Sequence, residues 1–378
     1  MKKYLLFTLE FPPMVGGVSN YYYNLVRYWG MDKISVLTEK NLKGPGQRLK
    51  NGNIFYRRLL CPCLRYKWLP AVWHLFWVKL FKQVDHVIVG QILPLGTAAY
   101  LLKKVFKKMN YSVILHGMDF SYALKDKKKM ELSRKILNNS IKIICANTYT
   151  AKLVKQFDSR LGAKISVVNP GIRSTRPKYP ETVKKLKDKY ALWKRTVMLS
   201  VGRLVKRKGF DKMIEVLPES LKKELDLYYI IVGDGPDKRY LEKRAEKLPN
   251  KARRRVIFTG EASEKEIWAW MEICDVLAMP SRDINGDFEG FGIVYLEANL
   301  AGKPVIAGDS GGVRDAVMDG VNGLLVDPQN NKEITKAVIK LCRDKELRKK
   351  LGQKGKEIAR KRFNWRGQIN KLRQILTH

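Results

Sequence analysis

Two glutamates eight residues apart, Glu289 and Glu297, carry the clearest chemical signal in the chain. Between them lie Gly290, Phe291, Gly292 and Ile293, and the residues from about Gly292 onward have helical spacing. Backbone N–H groups exposed by glycine at a helix start suit phosphate or sugar oxygens. Two carboxylates at this separation can accept hydrogen bonds from two sets of hydroxyls, one on each side of a bound diphosphate. A second constellation, Gly202-Arg203-Leu204 followed by Lys208-Gly209, offers a diphosphate a planar guanidinium fork and a compact ammonium. Gly16-Gly17, after an apolar run and before the helical pattern Tyr21–Trp29, leaves room for a phosphate, although a bare glycine pair also describes an ordinary tight turn. His116-Gly117-Met118-Asp119 follows the apolar run Ser112–Leu115, so His116 sits at a strand end, where structural and chemical roles are balanced.

These residues need a scaffold that delivers them to one edge. The spacing predicts strands over Lys3–Leu9, Ile34–Thr38, His86–Val89, Ser112–Leu115, Lys142–Cys145 and Ile165–Val168. A second series runs through Thr196–Ser200, Leu227–Val232, Val256–Thr259, Val276–Met279, Pro304–Ala307 and Gly323–Val326. Helical patterns such as Met130–Leu137 and Ile334–Leu341 separate them. Continuous apolar strands alternating with helices specify parallel sheets covered on both faces, an α/β doubly wound fold. Asn169-Pro170-Gly171, Arg176-Pro177 and Tyr179-Pro180 interrupt the alternation. The reading is therefore two Rossmann-like domains, 1–172 and 173–360, with 361–378 a C-terminal helix returning to the first. In such sheets ligands bind beyond the carboxyl ends of the strands, where Arg203, Lys208 and Glu289 fall.

Composition narrows the partners. The 378 residues include 74 Lys+Arg and 36 Asp+Glu, a net charge of +38, with 45% apolar residues, 5 Cys and 4 His. Apolar content excludes a largely disordered chain, and five scattered cysteines exclude a disulfide framework and suggest a reducing compartment. The basic surplus calls for an anionic partner or reflects a lysine-biased proteome. The start, Met1–Glu10, reads as a buried strand rather than a leader peptide, because Glu10 and Pro12-Pro13 end its short apolar run. No uncharged stretch is long and continuous enough to span a bilayer, which needs about 20 apolar residues.

Taken together, Gly16-Gly17, His116-Gly117, Asn169-Pro170-Gly171, Gly202-Arg203-Leu204…Lys208-Gly209, Gly233-Asp234-Gly235-Pro236, Glu289…Glu297 and Asn322–Val326 resemble the family-4 retaining glycosyltransferases of GT-B architecture. The resemblance covers essentially the whole chain and implies two Rossmann-like domains facing a cleft. It implies that Arg203 and Lys208 bind a donor diphosphate, that Glu297 holds the ribose, and that Glu289 with Gly290, Phe291, Gly292 and Ile293 binds the donor sugar. Gly16-Gly17 would close over the phosphates, His116 would lie near the sugar and β-phosphate, and Gly260–Ala262 would border the base. No cofactor and no metal are implied. The segment from Pro280 to Ala298 is similar to GDP-mannose-dependent mannosyltransferases acting on phosphatidylinositol mannosides. Arg173, where many relatives carry Asp, and Met31-Asp32, in place of a Gly-His pair, depart from the pattern away from the inferred donor site.

The acceptor side rests on the residues themselves. Lys40–Val84 contains no Asp or Glu but ten Lys+Arg, together with Trp68, Trp73 and Trp77. Aromatics interleaved with cations suit a lipid headgroup zone. Lys103, Lys104, Lys107 and Lys108 are expected on one face of a helix over Leu101–Met109. These features lead to a lipid-linked or oligosaccharide acceptor and an anionic membrane surface, with the protein peripheral on the cytoplasmic face of the plasma membrane. A UDP-sugar enzyme of polysaccharide assembly is the alternative within the fold. A nucleic-acid-binding protein is the competitor from charge alone and leaves the ordered glycines and carboxylates unexplained. A non-catalytic scaffold of the same fold, binding only membranes or glycans, is the other, and the joint presence of Arg203, Lys208, Glu289 and Glu297 argues against it. Cys61-Pro62-Cys63 with His74 and His86 matches no common zinc spacing.

Overall fold

The computed structural model describes residues 2–40, 49, 51–222 and 226–377. The chain divides into two compact units, Met1–Gly171 with Trp365–His378, and Ile172–Asn364. The first unit holds β1 (Tyr4–Thr8), β2 (Ile34–Glu39), β3 (Ile54–Arg57), β4 (His86–Val89), β5 (Asn110–Leu115), β6 (Ile143–Cys145) and β7 (Ile165–Val167). Their order is β3-β2-β1-β4-β5-β6-β7, every pair parallel. The second unit holds β8 (Thr196–Val201), β9 (Leu227–Val232), β10 (Val256–Gly260), β11 (Val276–Met279), β12 (Val305–Gly308) and β13 (Gly323–Val326). These are ordered β10-β9-β8-β11-β12-β13, again all parallel.

Alternate residues of each strand enter different cores, as the two-residue period of a strand requires. In the first unit Leu5, Phe7, Val87, Val89, Val113 and Leu115 pack on one side. Leu6, Val36, Ile88, Ile114 and Ile144 pack on the other, where Trp365, Ile369 and Leu372 of the C-terminal helix join them. The second unit repeats the scheme, with Val197, Leu199, Ile230 and Leu277 on one side and Met198, Tyr229, Ile231 and Ala278 on the other. Both sheets are thus doubly wound. The order reverses between β1 and β4 in one sheet and between β8 and β11 in the other, the points where open sheets form ligand crevices.

Two details differ from the sequence reading. The short strand β3 lies on the edge of the first sheet, paired Val36 to Ile54 through Glu39 to Arg57. It was not expected, because its residues are only half-buried and sit inside the aromatic, cationic stretch. The helix Lys345–Arg362 runs past residue 360 and Phe363 is in the second unit's core, so the return crossing lies at Asn364/Trp365. Both crossing segments are joined within the second unit: the Ile172 N–H donates to the Phe363 carbonyl at 2.6 Å.

Candidate functional site

In the second unit the loop after β8 closes with one 3-10 turn, Lys206–Lys208. Gly209 follows at φ 79°, and a Cβ there would meet the Pro280 carbonyl oxygen at 2.2 Å. Glycine therefore lets the loops after β8 and β11 touch, and the Arg282 N–H seals them by donating to the Arg207 carbonyl at 2.8 Å. Arg282 itself is buried and forks onto Asp211 with bonds of 3.0 and 2.7 Å. These contacts fix the cations that follow.

They converge on Glu289. Lys208 Nζ contacts its Oε2, and Arg207 Nη1 lies 3.0 Å from the same oxygen. Arg207 Nε is 3.0 Å from Asp287 Oδ1. From the other side, the Gly312 N–H donates to the Glu289 carbonyl at 2.9 Å. Burial alone would push the Glu289 carboxyl up, but Lys208 and Arg207 outweigh it and hold the group below the usual glutamate range. It is a carboxylate at neutral pH. Arg203 is exposed at the end of β8 and forms no ion pair among the described residues. Sequence reasoning chose Lys208 but passed over its neighbour Arg207; the Lys206-Arg207-Lys208 triplet was the signal, yet spacing could not say which of the three turns inward.

Glu297 is on the helix Ile293–Leu300, whose N-cap Gly292 has φ 79°. A Cβ at 292 would strike the Tyr295 ring at 2.4 Å, so the helix start requires glycine. Burial raises the Glu297 carboxyl to about 7, the Arg173 charge opposes that rise and the Glu264 charge adds to it. Arg173 stacks 5.4 Å over the Trp268 ring and pairs with Glu264 at 2.5 Å. Arg173 thus acts on Glu297 through charge, while its direct contacts are Glu264 and Trp268. Ile172 and Trp268 share the core that also holds Val294 and Leu296, which brings the chain after Gly171 alongside this helix.

The first unit presents different chemistry at its sheet edge. His116 Nε2 is 2.8 Å from Tyr22 Oη, and burial pushes the imidazole down to about 4, so it is neutral at pH 7. Asp119 Oδ1 accepts the His116 and Gly117 backbone N–H groups at 3.1 and 3.0 Å, and burial raises its carboxyl to about 6. Gln91 Oε1 accepts from the Leu9 N–H at 2.9 Å and bonds Thr8, tying the ends of β1 and β4 together. Gly16 and Gly17 are exposed, and a Cβ at either would meet nothing within 4 Å. Nothing inside the unit demands glycine there.

The same unit carries an unusual helix, Leu69–Lys82. One face buries Ala71, Leu75 and Val78. The other leaves Leu69, Trp73, Leu80 and Phe81 exposed, the last at 74%. Trp77 stacks on Phe81 with ring centroids 5.3 Å apart, and Trp68 is the N-cap. The lysines are not arranged as expected. The helix Leu95–Val105 ends before Lys107 and Lys108, which lie in the turn into β5. Lys103 is drawn back onto the Met109 carbonyl at 3.1 Å, and Lys104 lies over Tyr100. Phe106 leaves helical geometry so that the chain can reverse into β5. Lys43, Arg48 and Lys50 lie outside the described residues.

Residues 15–176 match the model of glycosyltransferase family 4, and residues 183–358 match that of glycosyl transferases group 1. A GDP-mannose-dependent alpha-(1-6)-phosphatidylinositol monomannoside mannosyltransferase from Mycolicibacterium smegmatis is 31% identical over 299 residues, covering 78% of this chain and 76% of the relative. The chain is a family-4 glycosyltransferase. A Corynebacterium glutamicum relative, a GDP-mannose-dependent monoacylated alpha-(1-6)-phosphatidylinositol monomannoside mannosyltransferase, is 26% identical over 99% of this glycosyltransferase and 98% of its own length. Among solved structures, Anabaena HepE in complex with UDP and glucose superimposes with a TM-score of 0.80 at 19% identity over 100% of both chains. Sucrose-phosphate synthase from Thermosynechococcus elongatus gives a TM-score of 0.80 at 19% identity, over 100% of this chain and 98% of that one. The glycosyltransferase therefore has the two-domain GT-B fold.

Proposed function

We propose that this glycosyltransferase moves a hexose, mannose from GDP-mannose, onto a lipid-linked glycan acceptor with retention of configuration and without a metal. The observation that carries the reading is the Lys208–Arg207–Glu289 cluster beside the reversal point of the second sheet. Cations fixed before the donor arrives stabilise charge developing on a departing diphosphate without reorganising. Lys208 and Arg203 face that diphosphate, and the N-terminus of Ile293–Leu300 adds its dipole. Glu289 orients the donor sugar hydroxyls. A carboxylate shared between two cations is a poor nucleophile, which favours front-face transfer over a covalent glycosyl intermediate. The departing phosphate then helps to deprotonate the acceptor hydroxyl. Glu297 holds the ribose, and Gly16-Gly17, where no packing within the first unit calls for glycine, is open to the close approach of a ligand.

Mannose and GDP are favoured because the relatives that align over most of the chain are named GDP-mannose-dependent. Thermal-shift screening with GDP-, UDP- and ADP-sugars tests the donor, followed by radiolabelled transfer into lipid extract with EDTA present. The largest shift with GDP-mannose and EDTA-resistant transfer are expected. A larger shift with UDP-sugars reassigns the donor.

The protein works at a membrane surface in this reading. The exposed stripe of Leu69, Trp73, Leu80 and Phe81, on a helix whose last turn carries Lys79 and Lys82, has the amphipathic character of an interfacial helix. Co-sedimentation with phosphatidylglycerol vesicles but not with pure phosphatidylcholine vesicles is expected. No described helix is long and apolar enough to cross a bilayer.

A further inference from the structure

The single proton on the Tyr22 hydroxyl decides the chemistry of His116. Tyr22 Oη lies 2.5 Å from the Gly90 carbonyl oxygen, which can only accept, so the tyrosine donates to it. The other contact of the same Oη, 2.8 Å to His116 Nε2, must then be filled by a proton from the imidazole. Gly90 is shaped for this arrangement: a Cβ there would meet Tyr22 Oη and Cζ at 2.9 Å. The ring is clamped as well, with Tyr21 and Tyr22 presenting edge-to-face contacts at centroid distances of 5.0 and 5.3 Å. Burial keeps the imidazole neutral and the Tyr22 hydroxyl protonated. Asp119, raised by burial only to about 6 and so ionised at pH 7, directs its Oδ1 at the His116 and Gly117 backbone N–H groups, and burial alone sets the charge of the imidazole.

We propose that Tyr22 is a positioning residue that locks His116 as the Nε2–H tautomer, so that Nδ1 offers a bare lone pair at the carboxyl end of β5 to a sugar hydroxyl and not to a phosphate. A neutral nitrogen that only accepts has nothing to give a phosphate oxygen, whereas a hydroxyl donates to it directly. Nδ1 makes no hydrogen bond among the described residues. The hydroxyl can belong to the donor hexose or to the acceptor sugar. The inference rests on the hexosyl-transfer reading and sharpens it, because it separates the groups that hold phosphate from one that reads the sugar.

The tautomer is measured directly by long-range nitrogen–proton NMR on protein labelled at its 4 histidines. At pH 7 His116 is expected to show a protonated Nε2 and an unprotonated Nδ1, and Tyr22→Phe to give a mixture of tautomers. His86, which bonds Ser112 at 2.9 Å in the same unit, serves as the unchanged folding control. Calorimetric titration with GDP-mannose and with GDP reads the donor arm, and KM for a phosphatidylinositol mannoside in mixed micelles reads the acceptor arm. Tyr22→Phe and His116→Phe should weaken one arm about threefold to tenfold, the loss of one neutral hydrogen bond, and leave GDP affinity unchanged. An imidazolium or Nδ1–H form in the parent protein overturns the proposal. So does a Tyr22→Phe variant that leaves both arms within about twofold. Failure of GDP itself to bind would instead count against the donor assignment.

Discussion

Around Glu289 the second unit gathers two cations and two carboxylates in contacts of 3.0 Å or less, whereas around His116 the first unit offers rings, amides, an imidazole that stays neutral and one carboxyl, Asp119, spent on backbone N–H groups. Both sites lie beside the point where their sheet reverses order, so the scaffold does not create the difference. The side chains do. A diphosphate needs fixed positive charge, while a neutral hydroxyl is discriminated by groups of defined donor or acceptor character. The two-domain fold thus lets one sheet edge specialise in charge and the other in hydrogen-bond polarity.

The contrast can be broken most forcefully in the second unit. Asp211→Ala leaves Arg282 buried without its partner and should cost about 3–5 kcal/mol in denaturant unfolding. A loss below 1 kcal/mol would show that the loops are held by something other than this pair. Lys208→Ala should lower turnover at least about a hundredfold, read with saturating donor; near-parental turnover would remove Lys208 from the diphosphate site. In the first unit, replacing both Trp73 and Phe81 by Ser should reduce partition onto phosphatidylglycerol vesicles by roughly tenfold or more, given about 25 cal/mol per Å² of apolar surface withdrawn from water. Turnover on a soluble acceptor should be unaffected, and unchanged partition would reassign the stripe.

The smallest effect concerns Glu297. Its folded-state pKa of about 7 lies above the ordinary value of 4.5, so between those pH values the folded chain keeps a proton that the unfolded chain has lost. Stability contributed by that group is present at low pH and disappears as pH rises through this window. Glu297→Gln cannot ionise. It should melt higher than the parent at pH 8 by about 2–4 °C and match it at pH 4.5. An equal difference at both pH values would show that Glu297 is already ionised without strain.

How much of this was legible beforehand depended on range. The buried strands His86–Val89, Leu227–Val232 and Val276–Met279 announce themselves because consecutive apolar residues have only one kind of place to go. Gly292 sits where its spacing indicated, at the start of a helix, whereas the close approach that requires Gly209 involves Pro280, distant in sequence. Ile54–Arg57 was hidden because an edge strand need not bury its residues, and the same aromatics and cations suit a surface. Arg207 was hidden because one 3-10 turn decides which member of a basic triplet faces Glu289. The partner of His116 lies 94 residues away, and nothing local indicates which ring nitrogen bears the proton. The partners of Arg173 were hidden for the same reason: Glu264 and Trp268 are brought to it only by the packed core.

The double crossing of the chain carries a further consequence, for the order of synthesis. The first unit begins at the N-terminus but takes Trp365, Ile369, Leu372 and Leu376 into its core from the last helix. A ribosome adding roughly 5–20 residues per second needs about 10–40 s to pass from Gly171 to Trp365. During that interval the apolar surface around Tyr21, Val26 and Trp29 waits for its cover, while the intervening unit is free to fold as one uninterrupted piece. The unit that starts first is therefore the one finished last, and the nascent chain is most exposed to chaperones on the side that the final helix will seal.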